Sequence, residues 1–267
     1  MPTPKRLPRF MHNIITMLFA VAIVLPMYSA TSQAAQTVRV GVYPYIPFTA
    51  IDEQGQAHGM VPELITILND MQQEFRFVAT PVSPKRRYEF YKMNQLDAFF
   101  YESLLWGWSE MGILSSVPYQ RSGERYIALA ESGRDQTFFE NLSDHHLIAV
   151  LGYHYGFADF NSDEDFLRKQ FQITLTWDES NMLELLQQGK GDIAVINETY
   201  WSQLQQQQPD FTQQFLISDR YDQQYTQSIL MRPSLMTQQQ LDQLVKRMQS
   251  LPAYRQLQQR YGVSPDQ

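Results

Sequence analysis

VRVGVYPYIPF (residues 38–48), GMVPELITIL (59–68), LDAFF (96–100) and the dipeptide Pro118-Tyr119 follow one another along the first half of this chain, and their order decides the fold. Residues 38–42 are a short, β-branched-rich run bounded by turn formers, which predicts a buried strand. Behind Gly59, the apolar residues Val61, Leu64, Ile65, Leu68 and Met71 recur at helical spacing, with Pro62 where a first helical turn tolerates it. Residues 75–79 predict the next strand, Ser83-Pro84 the start of a second helix, and residues 97–101 a third strand. The alternation implies a parallel α/β sheet.

The same pattern returns after Tyr126. Strands are expected at 147–151, 173–177 and 193–196, and helices over 165–169 and 182–188, the second ended by Gly189. Thr237 and Gln240 form a Thr-x-x-Gln capping box ahead of a helix whose Leu241, Leu244, Val245, Met248 and Leu251 share a face. The Gln-rich patch at 205–208 sits within this pattern and reads as solvated helix or loop surface.

A strand, the Tyr45-Ile46-Pro47-Phe48 turn, the helix led by Gly59, the strand opened by Asp97 and a hinge beginning at Pro118-Tyr119 together resemble the bacterial periplasmic solute-binding proteins of the amino-acid-binding type, solute-binding family 3. The resemblance covers nearly the whole chain after residue 34. It implies an α/β fold of two lobes, the type II periplasmic binding protein architecture, with a ligand cleft between the lobes at the ends of the strands. Lobe one is then residues 35–120 plus 226–267 and lobe two residues 121–225. The chain would cross between them near 118–122 and again near 222–225, and LPAYRQLQQRYG (251–262) would supply the C-terminal helices that pack back on lobe one.

The first residues carry Lys5, Arg6 and Arg9 with no acid, followed by an apolar run over 14–25 and the small-x-small pattern Ser32-Gln33-Ala34. This is the layout of a secretory signal peptide cleaved near Ala34, since the run falls short of the ~20 apolar residues of a membrane span. A periplasmic location follows. The net charge of −7 argues against nucleic acid or an anionic membrane surface as partner, and loss of the basic leader makes the remainder more acidic still. There is no cysteine, so stability must come from the core, which a chain of this length is able to build. Without a cysteine there is also no lipid attachment site after the leader.

Family members that bind α-amino acids hold the carboxylate with an arginine and the ammonium with an acid. Counted from Asp97 and from Asp192, those positions fall here on Ser109 and Asn197. A bidentate clamp and a countercharge are both missing, which argues against an ordinary zwitterionic amino acid. The replacement for the clamp is expected in Lys85-Arg86-Arg87, where Arg86 matches a Pro-x-Arg found in part of the family; a surface pair with Glu89 is the alternative use of Arg86. Tyr45 and Tyr101 are expected as cleft walls, with Trp106 or Trp108 beside them, while most other aromatics belong to the core. In lobe two the turn Gly152-Tyr153-His154-Tyr155-Gly156 is placed, by the resemblance, where backbone N–H groups or Tyr155 meet the ligand.

No nucleophile elbow, His-Glu-x-x-His, P-loop or cysteine nucleophile occurs, so no enzyme, cofactor or metal is expected. His145, His146 and His154 read as solvated turn histidines. Glu102, directly after the third strand, is the acid that a fold-sharing dehydratase would use. The expected function is a monomeric periplasmic solute-binding protein that clasps a small polar or anionic solute for an ABC-type inner-membrane permease. A ligand-sensing partner of a membrane sensor is the alternative.

Overall fold

A computed structural model of the chain describes residues 1–3 and 34–263. The expected leader lies almost entirely outside the described residues, and Ala35–Gln267 is one compact unit. Among the described residues no helix is long and apolar enough to cross a membrane.

In chain order the elements are β1 (Gln36–Val42), β2 (Ala50–Ile51), β3 (Ala57–His58), α1 (Met60–Met71), β4 (Phe75–Pro81), α2 (Arg87–Lys92), β5 (Ala98–Glu102), β6 (Leu114–Ser115) and β7 (Gln120–Leu129). After these come β8 (Leu147–Val150), α3 (Glu164–Gln170), β9 (Ile173–Thr176), α4 (Glu179–Gln187), β10 (Ile193–Asn197), α5 (Glu198–Gln207), α6 (Pro209–Thr212), β11 (Phe215–Met231), α7 (Gln238–Ser250) and α8 (Pro252–Arg260). Each core helix turns the expected face inward: Val61, Leu64, Ile65 and Leu68 on α1, and Leu241, Leu244, Val245 and Met248 on α7, are buried. The Thr237–Gln240 capping box is formed. It satisfies otherwise orphaned N–H groups at the start of α7.

The main sheet runs β4-β1-β5-β11-β7-β10-β8-β9, with β6 on β11. β1 is parallel to β4 and β5, and β8 is parallel to β9 and β10. These are the two α/β halves expected from the alternating pattern. The sheet as a whole is mixed and not parallel, because β7 and β11 lie antiparallel to each other and to β10 and β5. Those two strands are the crossings between the halves. They run side by side, with Tyr225 opposite Ser122 and Gln227 opposite Gln120, and β11 continues into the first half to pair with β5 at Ser228–Met231.

Asp97, the residue that opens the third expected strand, is structural. Its carboxylate takes Nε and Nη2 of Arg39 at 2.7 and 2.8 Å and the Arg39 backbone N–H at 2.9 Å, which ties the start of β5 to β1. Burial pushes its pKa up, and the hydrogen bonds from Arg39 outweigh burial and hold it below the usual carboxylate value.

Candidate functional site

Where the ends of β1 and β5 face the turn after β8, seven side chains enclose a cavity: Tyr43, Tyr45, Arg87, Trp106, Glu124, Tyr153 and His154. It leaves about 10 Å³, enough for one water-sized group. Tyr43 and Tyr45 come from the turn after β1, Arg87 opens α2, Trp106 follows β5, Glu124 lies on β7, and Tyr153 and His154 follow β8. Both halves of the sheet therefore contribute.

Arg87 is buried, at 2% exposure, although it is a cation near the surface end of a helix. The local backbone explains this. Residues Pro84–Arg86 form a 3₁₀ turn, and three residues per turn place Arg87 beneath the buried Pro84 while Lys85 and Arg86 stay outside. Its Nη1 donates to the carbonyls of Pro84 (2.6 Å) and Gly152 (3.2 Å), its Nε lies 3.4 Å from Glu102, and its guanidinium rests over the rings of Tyr43 and Tyr88. Burial lowers the Arg87 pKa, but Tyr88, Tyr43 and Glu102 outweigh it and the net direction is up. Glu102 is fully enclosed and receives Tyr43 OH at 2.6 Å and Trp108 Nε1 at 2.9 Å beside Arg87. Burial raises its pKa and outweighs the charge of Arg87 and the hydrogen bonds from Tyr43 and Trp108, so the net direction is up.

Direct hydrogen bonds join the two halves around the cavity. Besides Arg87 to Gly152, Tyr153 OH donates to the Pro44 carbonyl (2.6 Å), Tyr88 OH pairs with His154 Nε2 (2.8 Å), Trp106 Nε1 donates to Gln223 (3.1 Å) and the Ile46 N–H to Glu179 (3.4 Å). Gly152, at φ +83°, lets the backbones approach: a Cβ there would stand 2.9 Å from the Lys85 nitrogen. At a net ~0.5–1.5 kcal/mol per hydrogen bond, these contacts hold the halves together by only a few kcal/mol. Such a balance is one that a ligand is able to shift.

Glu124 in the cavity wall and Glu179 behind Tyr153 are held toward their neutral forms. Burial lifts Glu124 well above the ordinary range, and the nearby Asp222 and Glu179 add to it. Burial, with a smaller push from the Asp178 charge, lifts Glu179 to about 7. The Tyr153 hydroxyl lies 2.6 Å from the Pro44 carbonyl and 3.1 Å from Glu179 Oε1, so its one hydrogen serves these two acceptors. His154 is pulled down to about 4 by burial and by the Arg87 charge. His154 Nδ1 lies 2.6 Å from the Phe160 carbonyl and Nε2 2.8 Å from Tyr88 OH, whose one hydrogen also meets the Trp106 carbonyl at 2.6 Å.

Of the residues expected from the sequence, the structure brings Tyr45 and Trp106 to the cavity wall. Glu102 stands directly behind it, through Tyr43 and Arg87. Asn197 backs Tyr45: it donates to the hydroxyls of Tyr225 (2.7 Å) and Tyr45 (3.2 Å) and caps α5 through the N–H groups of Thr199 and Tyr200. Arg86 is not brought to the cavity. It is exposed, pairs with Glu89 at 3.7 Å and lies over Phe90, and Arg87 takes the inward position.

Tyr101 is also turned away, because Phe100 and Tyr101 bulge opposite the single residue Ile229 and Tyr101, at φ +56°, packs on Phe48 and Tyr119 in the core. Ser109 is exposed, Trp108 is a core residue against Phe99, and Tyr155 stacks between Tyr153 and Phe157 with its hydroxyl receiving the Val150 N–H. His154, expected in solvent, lines the cavity instead. Glu124 and Glu179 were not singled out by sequence reasoning, and Tyr153 was named only as part of the turn 152–156. An acid in the otherwise strand-like run QRSGERYIAL (Gln120–Leu129) was the one available signal. No cluster of histidine and acid suited to a metal occurs among the described residues.

No protein-family model matches the chain, and no curated protein sequence does. Solved structures do match. A substrate-binding protein of an ABC uptake transporter from Streptococcus pneumoniae, with bound histidine, superposes with a TM-score of 0.68 at 13% identity over 84% of this chain and 92% of the other. The putative binding component of an ABC transporter from Wolinella succinogenes, complexed with lysine, gives 0.67 at 16% identity over 85% and 96%. An ancestral amino-acid-binding protein, a precursor of cyclohexadienyl dehydratase, gives 0.62 at 17% over 84% and 95%. The chain therefore has the two-lobed α/β fold of the periplasmic binding proteins. At these identities the likeness establishes the fold, and function rests on the site.

Proposed function

We propose that this chain is an exported solute-binding protein that clasps a small polar solute between two lobes, residues 35–120 with 226–267 and residues 121–225, and presents it to an inner-membrane ABC-type permease. The observation that carries this reading is the cavity itself: buried, mostly aromatic, with a few polar groups, and enclosed by both halves of the sheet. β7 and β11 supply the paired strands about which the lobes would open. A sensor protein in place of the permease would use the same closure. The anionic solute expected from the sequence loses its support, since Arg86 is outside and the charge of Arg87 is matched by Glu102. A dehydratase role for Glu102 is disfavoured because both of its oxygens are engaged within the protein.

A thermal-shift panel of small polar metabolites tests the reading. A cognate solute at 100 times its Kd should stabilise the protein by about 2.7 kcal/mol. A broad panel that leaves the Tm unmoved would reject solute binding.

A further inference from the structure

Resting on the solute-binding reading, the geometry points to a protonated amine as the group this cleft receives, with Glu124 as its ionic partner and the rings of Tyr45, Trp106 and Tyr153 as the surrounding walls. Glu124 is 4% exposed, yet no lysine, arginine or histidine pairs with it among the described residues. Its Oε2 accepts from Gln223 Nε2 at 3.2 Å, and no described residue engages Oε1. A buried acid without a cation costs stability unless something else is gained.

The neighbouring acids are committed elsewhere. Glu102 has Arg87, Tyr43 and Trp108, and Asp222 accepts from Tyr126 OH and from the N–H groups of Gly156 and Phe157 at 2.7–2.8 Å. Glu179 accepts from Tyr153 OH at 3.1 Å and the Ile46 N–H at 3.4 Å and does not line the cavity, so among the described residues Glu124 is the acid that lines it with an oxygen unengaged.

Three aromatic members of the wall suit a cation, while Arg87, which lines the same cavity, is paired with Glu102. Tyr45 meets Trp106 at 88° and Tyr153 at 89°, with ring centroids 5.9 and 5.6 Å apart, so the rings form the corner of an aromatic box. Such a box with an acid in it favours ammonium groups through the negative faces of the rings. Size narrows the class. Room of about 10 Å³ matches –NH₃⁺, which is about as large as water, and not a trimethylammonium. Arg87 is paired in charge with Glu102, although its Nε makes no hydrogen bond, so a carboxylate would have to compete with that pair. The class is an amine without an α-carboxylate.

Calorimetric titration of the purified protein decides this. The probes are putrescine, ethanolamine and phenethylamine, each beside its alcohol counterpart (1,4-butanediol, ethylene glycol, 2-phenylethanol), with succinate and L-alanine as the anionic and zwitterionic arms. At least one amine should bind at least 30-fold more tightly than its alcohol, and Glu124→Gln should remove that advantage while circular dichroism stays native. Should Glu124→Gln fail to fold, the comparison of amine with alcohol on the unaltered protein decides alone. Alcohols matching amines, or succinate or L-alanine binding where no amine does, would overturn the amine and leave solute binding standing. Binding by no compound of any class overturns the amine, and a flat thermal-shift panel then overturns solute binding as well.

Discussion

Glu124 on β7 and Asn197 on β10 are partners in register across the sheet. The position at which the sequence resemblance places an acid thus holds an amide, and an acid stands beside it one strand away. Asn197 is spent on capping α5 and on holding the hydroxyls of Tyr45 and Tyr225, whereas Glu124 lines the cavity. The acid that lines this cavity therefore stands on β7 and not on β10.

Arg87 and Glu102 are a fully buried pair, so removing one partner strands the other. Arg87→Met should cost about 3–5 kcal/mol of unfolding free energy, measured by urea denaturation. The double variant Arg87→Met/Glu102→Gln should recover most of that loss. A single-variant cost below about 1 kcal/mol would show that the pair does not form.

Arg86, by contrast, is a surface residue with one partner in the same turn. Arg86→Ala should change stability by less than about 0.5 kcal/mol and leave solute affinity untouched. A tenfold loss of affinity would return Arg86 to the cleft.

The buried acids set a pH dependence. Glu179 binds its proton more tightly folded (about 7) than unfolded (4.5), so from about 4.5 to about 7 the folded state holds a proton that the unfolded state has lost. Stability from this group is complete below 4.5 and falls as pH rises through that window. Glu124, Glu102 and Asp222 are raised too and act in the same direction. His154, lowered to about 4 from 6.5, acts oppositely between those values. The difference between Glu179→Gln and the unaltered protein isolates one group: the variant should gain on the parent by a few kcal/mol as pH rises from 4.5 to 7, followed by Tm. A difference that is flat with pH would mean Glu179 is ionised throughout.

Gly152 is where the two halves come nearest in backbone. Gly152→Val combines an unfavourable φ with a Cβ 2.9 Å from Lys85 N, so it should weaken solute binding at least tenfold. Far-UV circular dichroism should stay native. Unchanged affinity would mean that the halves do not need this approach to close.

Most of the scaffold was legible because it is local. The strand at 38–42, the faces of α1 and α7 and the Thr237 capping box follow from period and caps. β7 and β11 were less legible: strands that cross between lobes carry Ser122, Gly123, Gln223, Gln224 and Gln227, a polar content that hides their period. Site residues were harder, because Tyr43, Glu124 and Tyr153 meet only through long-range folding. Arg86 against Arg87 turned on one residue of helical phase, set by a 3₁₀ turn that the sequence Ser83-Pro84 does not distinguish from an α-helical start. Tyr101 was displaced by a bulge, which breaks the alternation that strand reading assumes.

Small-angle scattering tests closure most directly. With the panel compound that raises the Tm most, the radius of gyration should fall on saturation from the open, solute-free value to that of the closed form described here, in which Tyr45, Arg87 and Trp106 meet Tyr153 and His154. A protein that is open without solute and keeps the same radius of gyration at saturation would contradict clasping.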